Sequence, residues 1–164
     1  MKNSGKTLLA LAFFIAIFGT NSASAAKGDR YAAVSLSTEQ TAFLVDTQSV
    51  SGNTAWIITV SPISEYDESD KFFYNITYKR TQFDCANRKT KTLAMDQRDA
   101  NDKSLWSKDN LNWDWSFVKP DTAYEGVLNF MCNKNSISDN MYWNSPKDLL
   151  INLQQTLRED LSRK

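Results

Sequence analysis

Two cysteines, Cys85 and Cys132, and no histidine stand in a chain of 164 residues. This pair constrains the fold more than any other feature. In an oxidising compartment a lone pair of thiols joins. Closing a loop of about 48 residues stabilises a fold by roughly 4 kcal/mol in the chain-entropy model, less any strain. The bond would tie the segment before Cys85 to the segment that ends at Cys132. Two buried thiols or a metal site are the other uses of such a pair. Without histidine, a Cys/His zinc cluster is not available.

The N-terminus argues for the oxidising compartment. Lys2 and Lys6 precede an apolar run from Thr7 to Phe18, and Ala23-Ser24-Ala25 supplies small residues where a signal peptidase cuts. The run spans about 18 Å as a helix, short of a roughly 30 Å hydrocarbon core. It is therefore expected to be a cleaved leader, with the cut near Ala25 or Ala26. No cysteine follows the run, so the mature N-terminus is not expected to carry a lipid. No other stretch is apolar enough to span a bilayer. The expected location is the periplasm, the cell surface or the medium. The expected organisation is a signal peptide over 1–25, one domain over 26–133, and a polar linker with an amphipathic helix over 134–164.

Removing the leader takes two lysines from a chain with 19 basic and 19 acidic residues. The resulting formal charge of about −2 gives no basic field for nucleic acid.

The pattern along the mature chain is mostly that of strands. Arg30–Leu36, Thr41–Asp46, Ala55–Val60, Phe72–Arg80 and Arg88–Asp96 read as strands, with a hairpin bend at Ser51-Gly52-Asn53. Ser61-Pro62 is expected to close the third of these, and Ser64–Asp70 to form a loop. In Phe72–Arg80, alternation puts Phe72, Tyr74, Ile76 and Tyr78 on one packed face. Gln97–Asn112 reads as polar and irregular. Trp113, Trp115 and Phe117 share a face if extended. After Pro120 the period becomes helical: Asp121 or Thr122 can cap a helix whose stripe is Tyr124, Val127, Leu128 and Met131. The fold class is α+β: an antiparallel β-sheet packed against a helix, one disulfide, and an added C-terminal helix. Ser145-Pro146-Lys147-Asp148 is a helix start. The helix it opens carries Leu149, Leu150, Leu153, Leu157 and Leu161 on one face. That face either docks on the domain or meets a partner chain or membrane surface.

Chemistry is poorly represented. Absence of histidine removes the commonest general base and every Ser-His-Asp or Cys-His arrangement. Phosphate-binding and dinucleotide motifs are missing. Glu65, Asp67, Glu68 and Asp70 lack the spacing and glycine of an EF-hand. Asp96, Asp99 and Asp102 form no supporting pattern, and Asp84 with Asp109 is a carboxylate pair that nothing in the sequence brings together. No catalytic residue, cofactor or metal site is assigned. Five tryptophans are the richer signal. Trp106 and Trp143 stand in polar surroundings and, with Leu149, Leu153, Leu157 and Leu161, are the candidate interface residues.

One series of residues resembles a known family. Phe43-Leu44-Val45-Asp46 is followed by Trp56 and by Phe83-Asp84-Cys85-Ala86-Asn87-Arg88. Then come Trp113 to Phe117, Pro120-Asp121-Thr122, Val127 and Cys132. In this order they resemble the surface-adhesin protein E family of Gram-negative bacteria, over about residues 30–133. The Asp84–Arg88 block paired with Cys132 is the most specific part. The resemblance implies an antiparallel sheet packed against a helix, with Cys85 bonded to Cys132. The family is named after a host-binding surface lipoprotein and offers no catalytic residue. Asp46, Asp84 and Arg88 are expected to hold turns and strand ends.

The resulting expectation is an exported, non-enzymatic binding protein, adhesin-like, with a protein partner outside the cytoplasm and with a homodimer as one form of that pairing. The alternatives are a periplasmic inhibitor or immunity-type protein and an envelope structural or assembly protein.

Overall fold

The computed structural model describes residues 30–133 and 141–163. The leader therefore lies outside the described residues, as does most of the polar linker. The elements are β1 (Tyr31–Leu36), β2 (Ala42–Asp46), a 3-10 turn (Thr47–Ser49), β3 (Thr54–Asp67), β4 (Phe72–Asp84) and β5 (Lys89–Arg98). They are followed by β6 (Ser104–Lys108), β7 (Ser116–Phe117), α1 (Ala123–Asn133), β8 (Tyr142–Trp143) and α2 (Pro146–Ser162). All strand pairs are antiparallel, in the order β6-β5-β4-β3-β2-β1-β8, with β7 also pairing β5.

Strand alternation divides the apolar residues between two faces. Ala42 and Leu44 of β2, Ile58 and Val60 of β3 and Ile76 of β4 form one core with Leu149, Leu150 and Leu153 of α2. Val45, Ala55, Ile57 and Phe83 form the other with Val127, Leu128 and Met131 of α1. The central sheet is thus sandwiched between helices. This is why Ala42–Val45 and Ile57–Ile58 read as continuous apolar runs rather than strict alternation. Cys85 and Cys132 are joined, with Cα atoms 5.5 Å apart, so the end of β4 is fixed to the last turn of α1.

Helix α1 sits unusually close to β1. A Cβ on Gly126 would meet Ser35 Cβ at 2.8 Å and the Val34 carbonyl oxygen at 3.1 Å. Ser35 Oγ also donates to the Ala123 carbonyl at 2.6 Å. Thr122 does not cap the helix through its hydroxyl, which donates back to the Lys119 carbonyl. Glu125 instead reaches back to the Asp121 amide at 2.9 Å. Helix α2 starts as its sequence requires: Ser145 Oγ accepts from the Asp148 amide at 3.1 Å, with Pro146 in the first turn. It docks along β3, and Gln154 donates to the Pro62 carbonyl.

Three expectations change. Strand β3 does not stop at Ser61-Pro62 but runs on to Asp67, so the first part of the expected loop is a hairpin arm. Its pairing with β4 shifts between Val60 and Glu65, and β2 pairs β3 only over Ile57–Val60. Pro62 therefore falls at an irregularity, where its missing N–H costs no ladder bond. The polar region expected to be irregular contains β6, because Met95–Arg98 of β5 offers it an edge. Tyr142 and Trp143, expected in a linker, form β8 by pairing with Ala32 and Tyr31.

Candidate functional site

Between β6 and α1 the chain is clamped at two points. Leu111 is buried and its amide donates to the Leu93 carbonyl at 2.8 Å. Val118 is buried in the core under α1, and its amide donates to the Arg88 carbonyl at 2.9 Å. Ser116 and Phe117 pair with Thr90 and Lys89. Between the clamps, Trp113, Trp115 and Phe117 are 47%, 41% and 71% exposed. Lys89 places its ammonium 4.4 Å from the centre of the Phe117 ring. Large aromatics at every second position, with polar residues between them, form a ledge on the outside of the sheet.

The ledge borders a groove of about 530 Å³. Lys79 of β4 and Thr90 and Thr92 of β5 contribute from the sheet, and Thr122 and Tyr124 from the start of α1. Trp113, Asp114, Phe117 and Lys119 contribute from the ledge segment. Tyr124 packs edge-on against Phe43, with ring centroids 5.9 Å apart. Burial lowers the Lys79 pKa from its ordinary value, because desolvation disfavours the ammonium. Among the described residues no carboxylate lies within 4 Å of the Lys79 ammonium. The site can therefore present a partly desolvated cation between aromatic walls.

A second cleft, of about 450 Å³, opens on the α2 side, beyond the reach of that helix. Here both arginines are held by carboxylates. Arg30 donates to both Asp46 oxygens, at 2.9 and 2.6 Å. Arg98 pairs with Asp96 at 2.7 Å and lies 4.3 Å from the centre of the Tyr78 ring. Tyr78 donates to Asp102 at 3.2 Å. Burial, and then the Asp102 charge, push the Tyr78 phenol far above its ordinary pKa, so it stays a hydrogen-bond donor at neutral pH. Both arginines of this network are already paired, and with Asp109 the lining carries four carboxylates against two guanidinium groups, so it offers no free cation.

The structure scatters the sequence-derived candidates. Leu149 and Leu153 are 1% and 2% exposed inside the α2 core, so the reading of these two as a free interface is corrected: the sheet of the same chain covers them. Leu157 is half-buried, and Leu161 is 64% exposed near the helix end. Trp143 is half-buried in β8 and packs on the α2-side core instead of standing in solvent. Trp106 is half-buried on the edge strand β6, opposite Gln97.

The acids have local duties. Asp84 accepts from the amide and side chain of Asn87, whose hydrogen bonds lower its pKa. Asp67 accepts from the Ser69 and Asp70 amides, and Asp99 from those of Asn101 and Lys103. Arg88 pairs with Glu125. Asp109 lines the cleft on the α2 side. Among the described residues no group of three or more acids and cysteines is placed to hold a metal ion.

The sequence placed Trp113, Trp115 and Phe117 on one face if extended, whereas the structure makes a strand only of Ser116–Phe117 and lines the groove with Trp113 and Phe117. The exposure of the ledge was not legible, because burial by a neighbouring element gives the same alternation.

Comparison with known proteins places the chain. Two crystal forms of Haemophilus influenzae protein E are similar at 12% identity and a TM-score of 0.43, over 67% of this chain. The alignments cover 89% and 92% of those chains. Protein E from non-typeable Haemophilus influenzae is similar at 13% identity and a TM-score of 0.41, over 80% of this chain and 92% of that one. No curated protein matches. The family model described as surface-adhesin protein E matches residues 31–133, the span that holds the sheet from β1 to β7, helix α1, both cysteines and the ledge. The chain belongs to the surface-adhesin protein E family.

Proposed function

We propose that this protein is an exported, non-enzymatic, adhesin-like protein that binds a protein partner outside the cytoplasm. The observation that carries the reading is the ledge of Trp113, Trp115 and Phe117, exposed on the family-matched domain. Large aromatics held in solvent by buried neighbours on both sides are the residue types that carry binding energy at protein interfaces. The leader-like N-terminus and the disulfide agree with export.

The test is protease treatment of intact cells expressing the natural protein, beside osmotically opened cells and culture medium. Digestion on intact cells, or recovery from medium, is the expected result. Protection until the outer membrane is opened favours the periplasmic inhibitor reading instead. Retention in the cytoplasm with the leader uncut overturns both.

A further inference from the structure

The groove beside the ledge has a chemistry that the adhesin-like reading does not specify. Lys79 lies in the centre of the sheet, opposite Ile57 on one side and Met95 on the other. Cations in such a position are normally paired, because burying an ion without a partner is costly. Here three lysines, Lys79, Lys119 and Lys89, stand in or beside the groove against one lining acid, Asp114, with the charge of Glu65 reaching Lys79 from outside the lining. The mature chain as a whole carries a slight negative charge, so the groove is a local positive feature. Trp113 and Phe117 provide apolar walls, and Thr90 and Thr92 add hydroxyls to the same lining as Lys79.

We propose that this groove receives an acidic, extended segment of a protein partner, with one carboxylate seated on Lys79 and adjacent apolar side chains against Trp113 and Phe117. This deepens the binding-protein reading and rests on it. Charge complementarity selects an anionic occupant. An extended polypeptide is favoured over a glycan chain because it can direct a carboxylate and apolar side chains to Lys79, Trp113 and Phe117 of one groove. β7 strengthens that choice: among the described residues it pairs only with β5, which leaves its other backbone edge free for main-chain hydrogen bonds.

The experiment is a tryptophan-fluorescence titration of the purified, disulfide-bonded protein with a blocked heptapeptide alternating glutamate and leucine. The isosteric glutamine–leucine peptide and a sulfated polysaccharide are the comparators. The glutamate peptide should bind about tenfold or more tightly than its glutamine counterpart, and more weakly as salt is raised. Lys79→Met should abolish that preference, Lys79→Arg should keep part of it, and Lys119→Glu at the exposed rim should weaken it. Lys119→Glu keeps the test decisive if Lys79→Met fails to fold.

Equal binding of the two peptides overturns the proposal. So do no binding of the glutamate peptide, a Lys79→Met protein that binds as before, and binding of the polysaccharide alone. Because the readout is made on purified protein, its failure is distinct from failure of the cellular location test.

Discussion

Arg30 and Asp46 form a two-pronged ion pair across β1 and β2, with Nε and Nη2 of the arginine 2.9 and 2.6 Å from the two carboxylate oxygens. The carboxylate is 2% exposed and also accepts from the Gln48 amide, so one side chain joins the strand edge to the turn that follows. Asp46→Ala should destabilise the fold by about 2–4 kcal/mol, because it leaves an amide and a guanidinium unpaired. Arg30→Ala should do less than Asp46→Ala, since its guanidinium is half exposed. Denaturant unfolding of the two variants tests this, and equal effects would show that the Gln48 bond adds nothing.

The disulfide joins the end of the sheet strand β4 to the helix α1 that packs on it. Replacing Cys85 and Cys132 together by serine should cost about 2–5 kcal/mol. Thermal unfolding with and without reductant measures it. The wild type should lose its advantage in reductant while the double variant is unmoved.

Gly126→Ala should destabilise by about 1–3 kcal/mol, although alanine is the better helix former. The added methyl meets Ser35 Cβ and the Val34 carbonyl, so α1 must move off β1. A neutral or stabilising result in chemical denaturation would mean that the helix shifts freely.

Leu153→Ala should cost about 2–5 kcal/mol, whereas Leu161→Ala should fall within about 0.5 kcal/mol of wild type. The first residue is buried under the sheet and the second is exposed. Sedimentation of both variants, with their unfolding curves, separates a core leucine from an interface leucine.

Lys79 gives a dependence on pH. Its folded pKa lies below the ordinary 10.5. Between those two values the unfolded chain holds more protons than the folded one, so stability rises with pH there. Lys79→Met should therefore be more stable than wild type at neutral pH, by a margin that shrinks as pH approaches 10.5. Thermal unfolding across that range checks the sign, and a constant margin would mean that desolvation of the amine is not its cause.

Much of this architecture was written in local pattern. β1, β2 and β5 follow from strand-forming runs between turn residues, β4 from alternation, and α2 from Ser145, Pro146 and its leucine spacing. β6 and β8 were hidden. Ser104–Lys108 is almost wholly exposed and Tyr142–Trp143 is two residues long, so neither has an apolar period. Each exists because an edge, of β5 or of β1, offers it backbone partners. The same limit applies to the site. Sequence named Trp106 and Trp143 for the surface because their neighbours are polar, yet a residue is covered by what is near in space, not in sequence.

By itself the sequence determined the cysteine pair, the strand-rich domain with its helix, and the leucine face of α2, since each rests on composition or on a short-range period. Only the tertiary structure decided that α2 closes the second face of the sheet, that Trp113, Trp115 and Phe117 stay in solvent, and that Lys79 meets them in one groove. Those outcomes depend on which distant segments compete to cover each apolar surface, and that competition is settled by packing of the whole chain.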